Sequence, residues 1–327
     1  MLYGQKNYPR VYYRLGRVLG LMFRYQRIMV PLDGSELAEK ALKPAVVIAE
    51  SMDGDLLCLQ VVTGLTLDLD PRLNQRVIEA RKYAANLYFN SLKSRYSKTK
   101  RPIETEIAVG SAPKVITDSA REHCIDLIVL SSHGRTGLAR WVYGNVTAKI
   151  LRHAPCDTLI VRTLAPATEL FSTKRLLVPL DGSKLAERAL RPAIALASTL
   201  DMEILLLRVS PLIPVGLEPM SSRSMFDELE ARARDEALTY LQSIHSSLEQ
   251  HGVPISVETI TGPEAATIVD YAKKYQVDLI VMSSHGHTGI GLWLMGSVSE
   301  KVLRKASCAT LVVRPPGQTG NETRDDQ

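Results

Sequence analysis

With 327 residues, 45% of them hydrophobic and 23% charged, the chain has material for about two ordinary domains, and its apolar content excludes a disordered polymer. Its net charge of +5 suggests a polyanion-binding surface, but Lys6, Arg10, Arg14, Arg17, Arg24 and Arg27 all stand in residues 1–27 without one Asp or Glu, and the remainder carries −1. That placement excludes a broad basic footprint, and four cysteines without C-x-x-C spacing, Cys58, Cys124, Cys156 and Cys308, exclude a secreted disulfide scaffold.

Residues 1–27 read as a basic N-terminal extension outside the fold, with Tyr3, Tyr8, Tyr12, Tyr13, Phe23 and Tyr25 between its cations. Contact with nucleic acid or an anionic membrane is confined to this extension, and an unstructured segment is the simpler reading. Val18–Phe23 is too short for a signal-peptide core, and no apolar stretch approaches the roughly 20 residues that span a bilayer. The expected location is cytoplasmic, with reduced cysteines. A first domain is predicted over 28–162. Its strands are Ile28–Leu32, Leu56–Val62, Ile103–Val109, Leu127–Leu130 and Thr158–Val161, short Val- and Ile-rich runs between polar segments. Between the first two, Leu37, Ala38, Ala41, Leu42, Ala45 and Ile48 form one helical stripe behind Ser35 as N-cap, and Pro44 should kink the helix. A second helix near Arg72–Lys98 is expected to turn Val77, Ala80, Ala84, Leu87, Ser91 and Leu92 inward.

Residues 163–173, containing Pro166, read as a linker, and a second domain follows over 174–314, with Pro192 repeating Pro44. A long helix near Phe226–Gln250 should end at Gly252. Residues 315–327 form a polar tail, expected to be disordered. The two domains are copies: Val30-Pro-Leu-Asp-Gly-Ser35 returns as Val178-Pro-Leu-Asp-Gly-Ser183. Likewise Asp126-Leu-Ile-Val-Leu-Ser-Ser-His-Gly134 returns as Asp278-Leu-Ile-Val-Met-Ser-Ser-His-Gly286. The unit is far longer than a solenoid repeat, so whole domains are duplicated. Apolar strands alternating with helices predict an α/β fold: two similar domains, each an open five-stranded parallel sheet with helices on both faces, doubly wound.

In such a sheet, ligands bind beyond the carboxyl ends of the strands where the winding reverses. That places Asp33 or Asp181 after the first strand, and Ser131 or Ser283 after the fourth, at the functional edge. Gly296-Ser297 opens the last helix, with Ser297 as N-cap and Glu300 completing a capping box; in the first copy Asn145 takes the N-cap place. A glycine before a helix start gives a phosphate room to approach unpaired N–H groups.

Ser283-x2-Gly286-x9-Gly296-Ser297 and Ser131-x2-Gly134-x9-Gly144-Asn145 resemble the ATP-binding signature Gly-x2-Gly-x9-Gly-(Ser/Thr) of universal stress proteins. Both copies depart from it by serine for the first glycine, and the first copy also by Asn145. The resemblance implies an adenine-nucleotide α-hydrolase-like fold and a nucleotide pocket in each copy. Its implied lining in the first copy is Pro31, Asp33, Val61, Leu130, Ser131, Gly134, Gly144, Asn145 and Val146. In the second it is Pro179, Asp181, Val209, Met282, Ser283, Gly286, Gly296, Ser297 and Val298. For the apolar members, plain strand-end packing is an equal alternative. Asp-Gly-Ser is also a turn-and-cap sequence in its own right. His133 and His285 lack companion nucleophiles or metal-ligand spacing and read as loop-stabilising.

The implied ligand is ATP or a related adenine nucleotide, with or without Mg2+, in a regulatory protein of the stress response that acts through conformation or an unknown protein partner. No Walker sequence is present, so hydrolysis is expected to be slow or absent. The alternatives are an interaction module that binds no nucleotide and a slow ATPase. The resemblance also implies that the copies pair within one chain as a pseudo-dimer through their last strands, as single-domain family members commonly do, which would cover open edges; a further homodimer is left open.

Overall fold

The computed structural model describes residues 23–64, 71–132, 144–162, 171–211, 223–284 and 295–315, with the backbone alone over 223–227. Residues 163–170 of the expected linker, the tail beyond residue 315 and the extension before residue 23 lie outside the described residues, whereas the rest of both expected segments joins the fold: Tyr25 and Phe171 are buried in the core and Arg27 opens β1. The first half runs β1 (Arg27–Leu32), α1 (Leu42–Met52), β2 (Asp55–Val62), α2 (Pro71–Arg95), β3 (Glu104–Val109), α3 (Ala112–Glu122), β4 (Leu127–Ser131), α4 (Asn145–His153) and β5 (Asp157–Val161). The second half repeats it as β6 (Arg175–Pro179), α5 (Leu190–Leu200), β7 (Glu203–Ser210), α6 (Arg223–Leu248), β8 (Ile255–Thr261), α7 (Glu264–Lys274), β9 (Leu279–Ser283), α8 (Ser297–Lys305) and β10 (Ala309–Val313).

All ten strands belong to one sheet of order β3-β2-β1-β4-β5-β10-β9-β6-β7-β8. Within each half the pairing is parallel, as in Met29 against both Leu57 and Ile128. The halves meet antiparallel, with Leu311 opposite Leu159 at the centre of the β5–β10 pair. The last strand of each half thereby covers the other's otherwise open edge. One face of the sheet carries a single core shared by both halves, running from Ile28, Leu42 and Leu92 to Leu190, Leu206 and Leu241. On the other face the first half's cluster also takes in Leu303 and Val312 from the second half.

Two local expectations change. Pro44 does not kink one long helix: a single turn, Glu36–Glu39, stops at Lys40–Ala41 and α1 starts afresh, with Pro44 in its first turn. A proline has no N–H to give the carbonyl four residues back, so the helix resets where that bond would have been. In the second half a 3-10 turn, Ala186–Ala189, breaks in the same way before Pro192. The inward face of α2 is also different: Leu92 is buried as expected, but its buried companions are Ala85 and Phe89. Ala80, Ala84, Leu87 and Ser91 point outward and Val77 is only half-buried. The long helix α6 passes into a 3-10 turn, Glu249–His251, that ends at Gly252 with φ +65°.

Candidate functional site

The strand order of each half reverses between β1 and β4, and between β6 and β9 in the copy. Asp33 and Asp181 follow β1 and β6 at these switch points. Each carboxylate accepts from the N–H two residues on: Ser35 N to Asp33 Oδ1 and Ser183 N to Asp181 Oδ1, both at 2.9 Å. The glycines between them sit at φ +80° and +89°, where a side chain would be strained. Ser35 and Ser183 then receive the N–H of Ala38 and Ala186, each at 3.1 Å. The turn chemistry expected of Asp-Gly-Ser is therefore realised, and it holds both carboxylates half-buried at the edge of the sheet.

Across the switch point, β4 and β9 end at Ser131 and Ser283, both buried. The next residues hook onto the neighbouring strand: Ser132 N–H donates to the Val161 carbonyl at 2.8 Å and Ser284 N–H to that of Val313 at 3.0 Å. The chain then returns to the same place, with Gly296 N–H on the Ser284 carbonyl at 2.8 Å and Gly144 N–H on that of Ser132 at 3.4 Å. His133, Gly134, His285 and Gly286 lie outside the described residues.

The helix starts differ from the sequence expectation by one residue. Gly144 and Gly296 are themselves the N-caps; Asn145 and Ser297 are exposed first-turn residues, and neither helix has a side-chain cap. The first-turn N–H groups of residues 145–147 and 297–299 thus have no intrahelical partner. Gly144 is not glycine for backbone reasons, its φ being −58°, and a Cβ added there would meet no atom of the described residues within 4 Å. Sequence reasoning missed the residues that pin these helix starts. The Ser299 hydroxyl donates to the Ser283 carbonyl at 3.0 Å, and that of Thr147 to Ser131 at 3.5 Å. Their recurrence at matching places in the two copies was the available signal.

Of the apolar residues, Leu130 and Met282 are buried at the ends of β4 and β9, while Pro31, Pro179, Val61 and Val209 are half-buried. Val146 is exposed, and Val298 packs against the core of its half. The halves differ beneath the Asp-Gly-Ser turn. In the second, the Arg208 guanidinium lies 5.0 Å from the Tyr240 ring centroid, directly under Gly182. In the first, the corresponding strand position is the buried Gln60.

Each half therefore carries, at the carboxyl edge of a doubly wound parallel sheet, an acidic turn on one side of the switch point and a glycine-capped helix start on the other. The description "Universal stress protein family" belongs to the family model that matches residues 24–162 and 172–314, and the chain is a member of that family with two such domains in tandem. A universal stress protein of Methanocaldococcus jannaschii is 36% identical over 144 residues, covering 44% of this chain and 83% of that protein. A putative universal stress protein of Staphylococcus aureus is 32% identical over 144 residues, covering 43% of this chain and 87% of that protein. Among solved structures, a universal stress protein of Archaeoglobus fulgidus covers 89% of this chain and 99% of its own at a TM-score of 0.68. At 19% identity, that likeness shows the fold alone. Among the described residues no helix is long and apolar enough to cross a membrane.

Proposed function

We propose that each half binds an adenine nucleotide at the switch-point edge and that the protein works as a nucleotide-linked regulator, changing conformation or partner with occupancy. The observation that carries this reading is the pair of helix starts at α4 and α8. Both are capped by glycine and by no side chain, and Gly144 stands where neither backbone angle nor any atom of the described residues calls for one. Unpaired N–H groups with a partial positive charge suit a phosphate chain. The adenosine end would lie towards Asp33, Val61 and Leu130, or Asp181, Val209 and Met282. Gly134, Gly286, Asn145, Val146, Ser297 and Val298 complete the proposed phosphate side. The described residues assemble no group of three or more potential metal ligands, so a Mg2+ would arrive with the nucleotide, held by its phosphate oxygens. Ser131 and Ser283, where the family signature has glycine, are the observation that favours the second reading, an interaction module of the same fold without nucleotide.

Titration calorimetry with ATP tests the proposal. Two sites per chain are expected, with the second half tighter because Ser297 keeps the signature that Asn145 alters. Gly296→Val and Gly144→Val should each remove one site. Losing one charge-assisted hydrogen bond weakens affinity by roughly ten- to a hundredfold. Because Gly144 has open space among the described residues and an ordinary φ, its variant should fold normally. Heat traces without ATP binding, or binding indifferent to both variants, would sink the nucleotide reading in favour of the interaction module.

A further inference from the structure

Helix α2 has a second apolar face. On its inner side Ala85 is buried, and Phe89 and Leu92 enter the shared core. Leu73, Val77, Ala80, Ala84, Leu87 and Ser91 follow one another at alternating spacings of four and three on the other side, the seam of a helix that packs against another helix. Leu73 is 45% exposed, Leu87 54% and the flanking Tyr83 67%. The matching positions of α6 are Met225, Leu229, Arg232, Glu236, Thr239 and Ser243, apolar only at the start of the helix, so the long seam belongs to the first half alone. Among the described side chains of α6, Leu229 is the exposed large apolar residue, at 43%.

Charge separates the same two helices. Along α2 stand Arg72, Arg76, Arg81, Lys82, Lys93 and Arg95 against Glu79 alone. Along α6 stand Asp227, Glu228, Glu230, Asp235 and Glu236 against Arg223, Arg232 and Arg234. Both lie on the face of the sheet that carries the shared core, α2 over β2 and β3 and α6 over β7 and β8, near opposite margins. Two molecules facing each other across this layer have two ways to close. A twofold axis along the strands lays α2 on α6 of the second copy, twice. An axis across the strands lays α2 on α2, basic helix on basic helix, which like charges oppose.

We propose that the outer seam of α2 docks α6 of a second copy of this chain, giving a twofold dimer with two identical α2–α6 contacts. Tyr83 and Leu87 are the apolar anchors, Leu229 receives them, and Arg76 lies among the acidic residues of α6.

Sedimentation of the full chain from micromolar to hundreds of micromolar should show a dimer that weakens as salt rises. Leu87→Glu and Leu229→Glu should each raise its dissociation constant by about a hundredfold, since each substitution acts at both contacts. Tyr83→Ser is the milder companion, and far-ultraviolet circular dichroism confirms that each variant is folded. Mixing the Leu87→Glu and Leu229→Glu chains should recover part of the association, because one of the two contacts is then intact. A chain that stays monomeric throughout overturns the proposal, as does a dimer indifferent to Leu87→Glu. A dimer lost with Leu87→Glu, untouched by Leu229→Glu and tightened by salt would be an α2–α2 pair, which also overturns it.

Discussion

Asp126 and Asp157 stand at the amino-terminal ends of β4 and β5, deep enough that burial raises both carboxyls, to about 7 and about 6. Hydrogen bonds work against that rise: Gln26 N–H reaches Asp126 Oδ2 at 2.7 Å, and Asp157 accepts the Tyr25 hydroxyl and the Arg314 N–H, each at 2.8 Å. A carboxyl whose folded-state pKa lies above the unfolded value of about 3.9 binds its proton more tightly when folded, so folding stability falls as pH rises through that window. Stability should therefore drop between about pH 4 and pH 7, by on the order of a few kcal/mol for the pair, and level off above. Glu39 and Asp53, lowered by hydrogen bonds from Arg95 and Arg101, act with the opposite sign and only below about pH 4. Asp126→Asn keeps an acceptor for Gln26 and should be more stable than the parent at pH 8 but not at pH 5, measured by urea unfolding. A parent stability that climbs across the window would contradict this account. Cysteine environments give a second residue-scale expectation. Burial pushes the Cys58 and Cys308 thiols up to about 12 and that of Cys156 well above its usual value, whereas Cys124 is exposed at a turn with φ +50°. The exposed Cys124 thiol should react fastest with a disulfide reagent and Cys124→Ser should abolish that phase, the half-buried Cys308 following more slowly and Cys58 and Cys156 reacting only on unfolding. Rapid labelling of Cys156 would show that this part of the core opens.

The helices α4 and α8 begin at the edge of the sheet without side-chain caps, so their tethers to the strands matter more than their intrinsic propensity. Ser299→Ala removes a buried hydrogen bond at 3.0 Å and should cost about 1 kcal/mol. Thr147→Val, at 3.5 Å, should cost less. Denaturant midpoints at constant slope rank the two, and the reverse order would mean that the tether is not what holds the helix start. Strands were legible in the sequence because runs such as Leu279-Ile-Val-Met282, buried on both faces, leave no other period to read. The face of α2 was not, because alanine satisfies either side of a helix. With Ala80, Ala84 and Leu87 lined up, the outer seam imitated a core stripe, and the true one ran through Ala85, Phe89 and Leu92. Cap positions were displaced for a similar reason: Ser297 and Asn145 are good N-cap types, yet the backbone turns into the helix one residue earlier, at glycine. The turn at Asp33 was readable in full, since its chemistry is local. Arg208 beneath Gly182 was not, since it joins β7 to a turn after β6 and to Tyr240 on α6.

At the scale of the whole molecule, the antiparallel seam makes the two domains one folding body. No local pattern in the sequence states that β5 meets β10, because the pairing joins residues some 150 positions apart; the expectation that the last strands pair comes from the family resemblance. The seam is fastened reciprocally: Arg162, just after β5, donates to the carbonyl of Leu303 on α8, and Arg314, just after β10, donates to that of Leu151 on α4. Each arginine reaches across to the opposite half. Burial depresses the Arg314 pKa, which the guanidinium tolerates because it stays charged far above neutral pH. Hydrogen bonds to charged groups contribute about 1.5–3 kcal/mol each, so Arg162→Met and Arg314→Met should each lower stability by about that amount. Calorimetry of the parent should show one transition whose van 't Hoff and calorimetric enthalpies agree, because the core on the α1–α2 and α5–α6 face runs unbroken from one half to the other. With both arginines replaced, the transition should move to lower temperature and stay single, since that core is untouched. Two resolved transitions in the parent would mean that the halves unfold independently, and that the shared core and the arginine pair do not couple them.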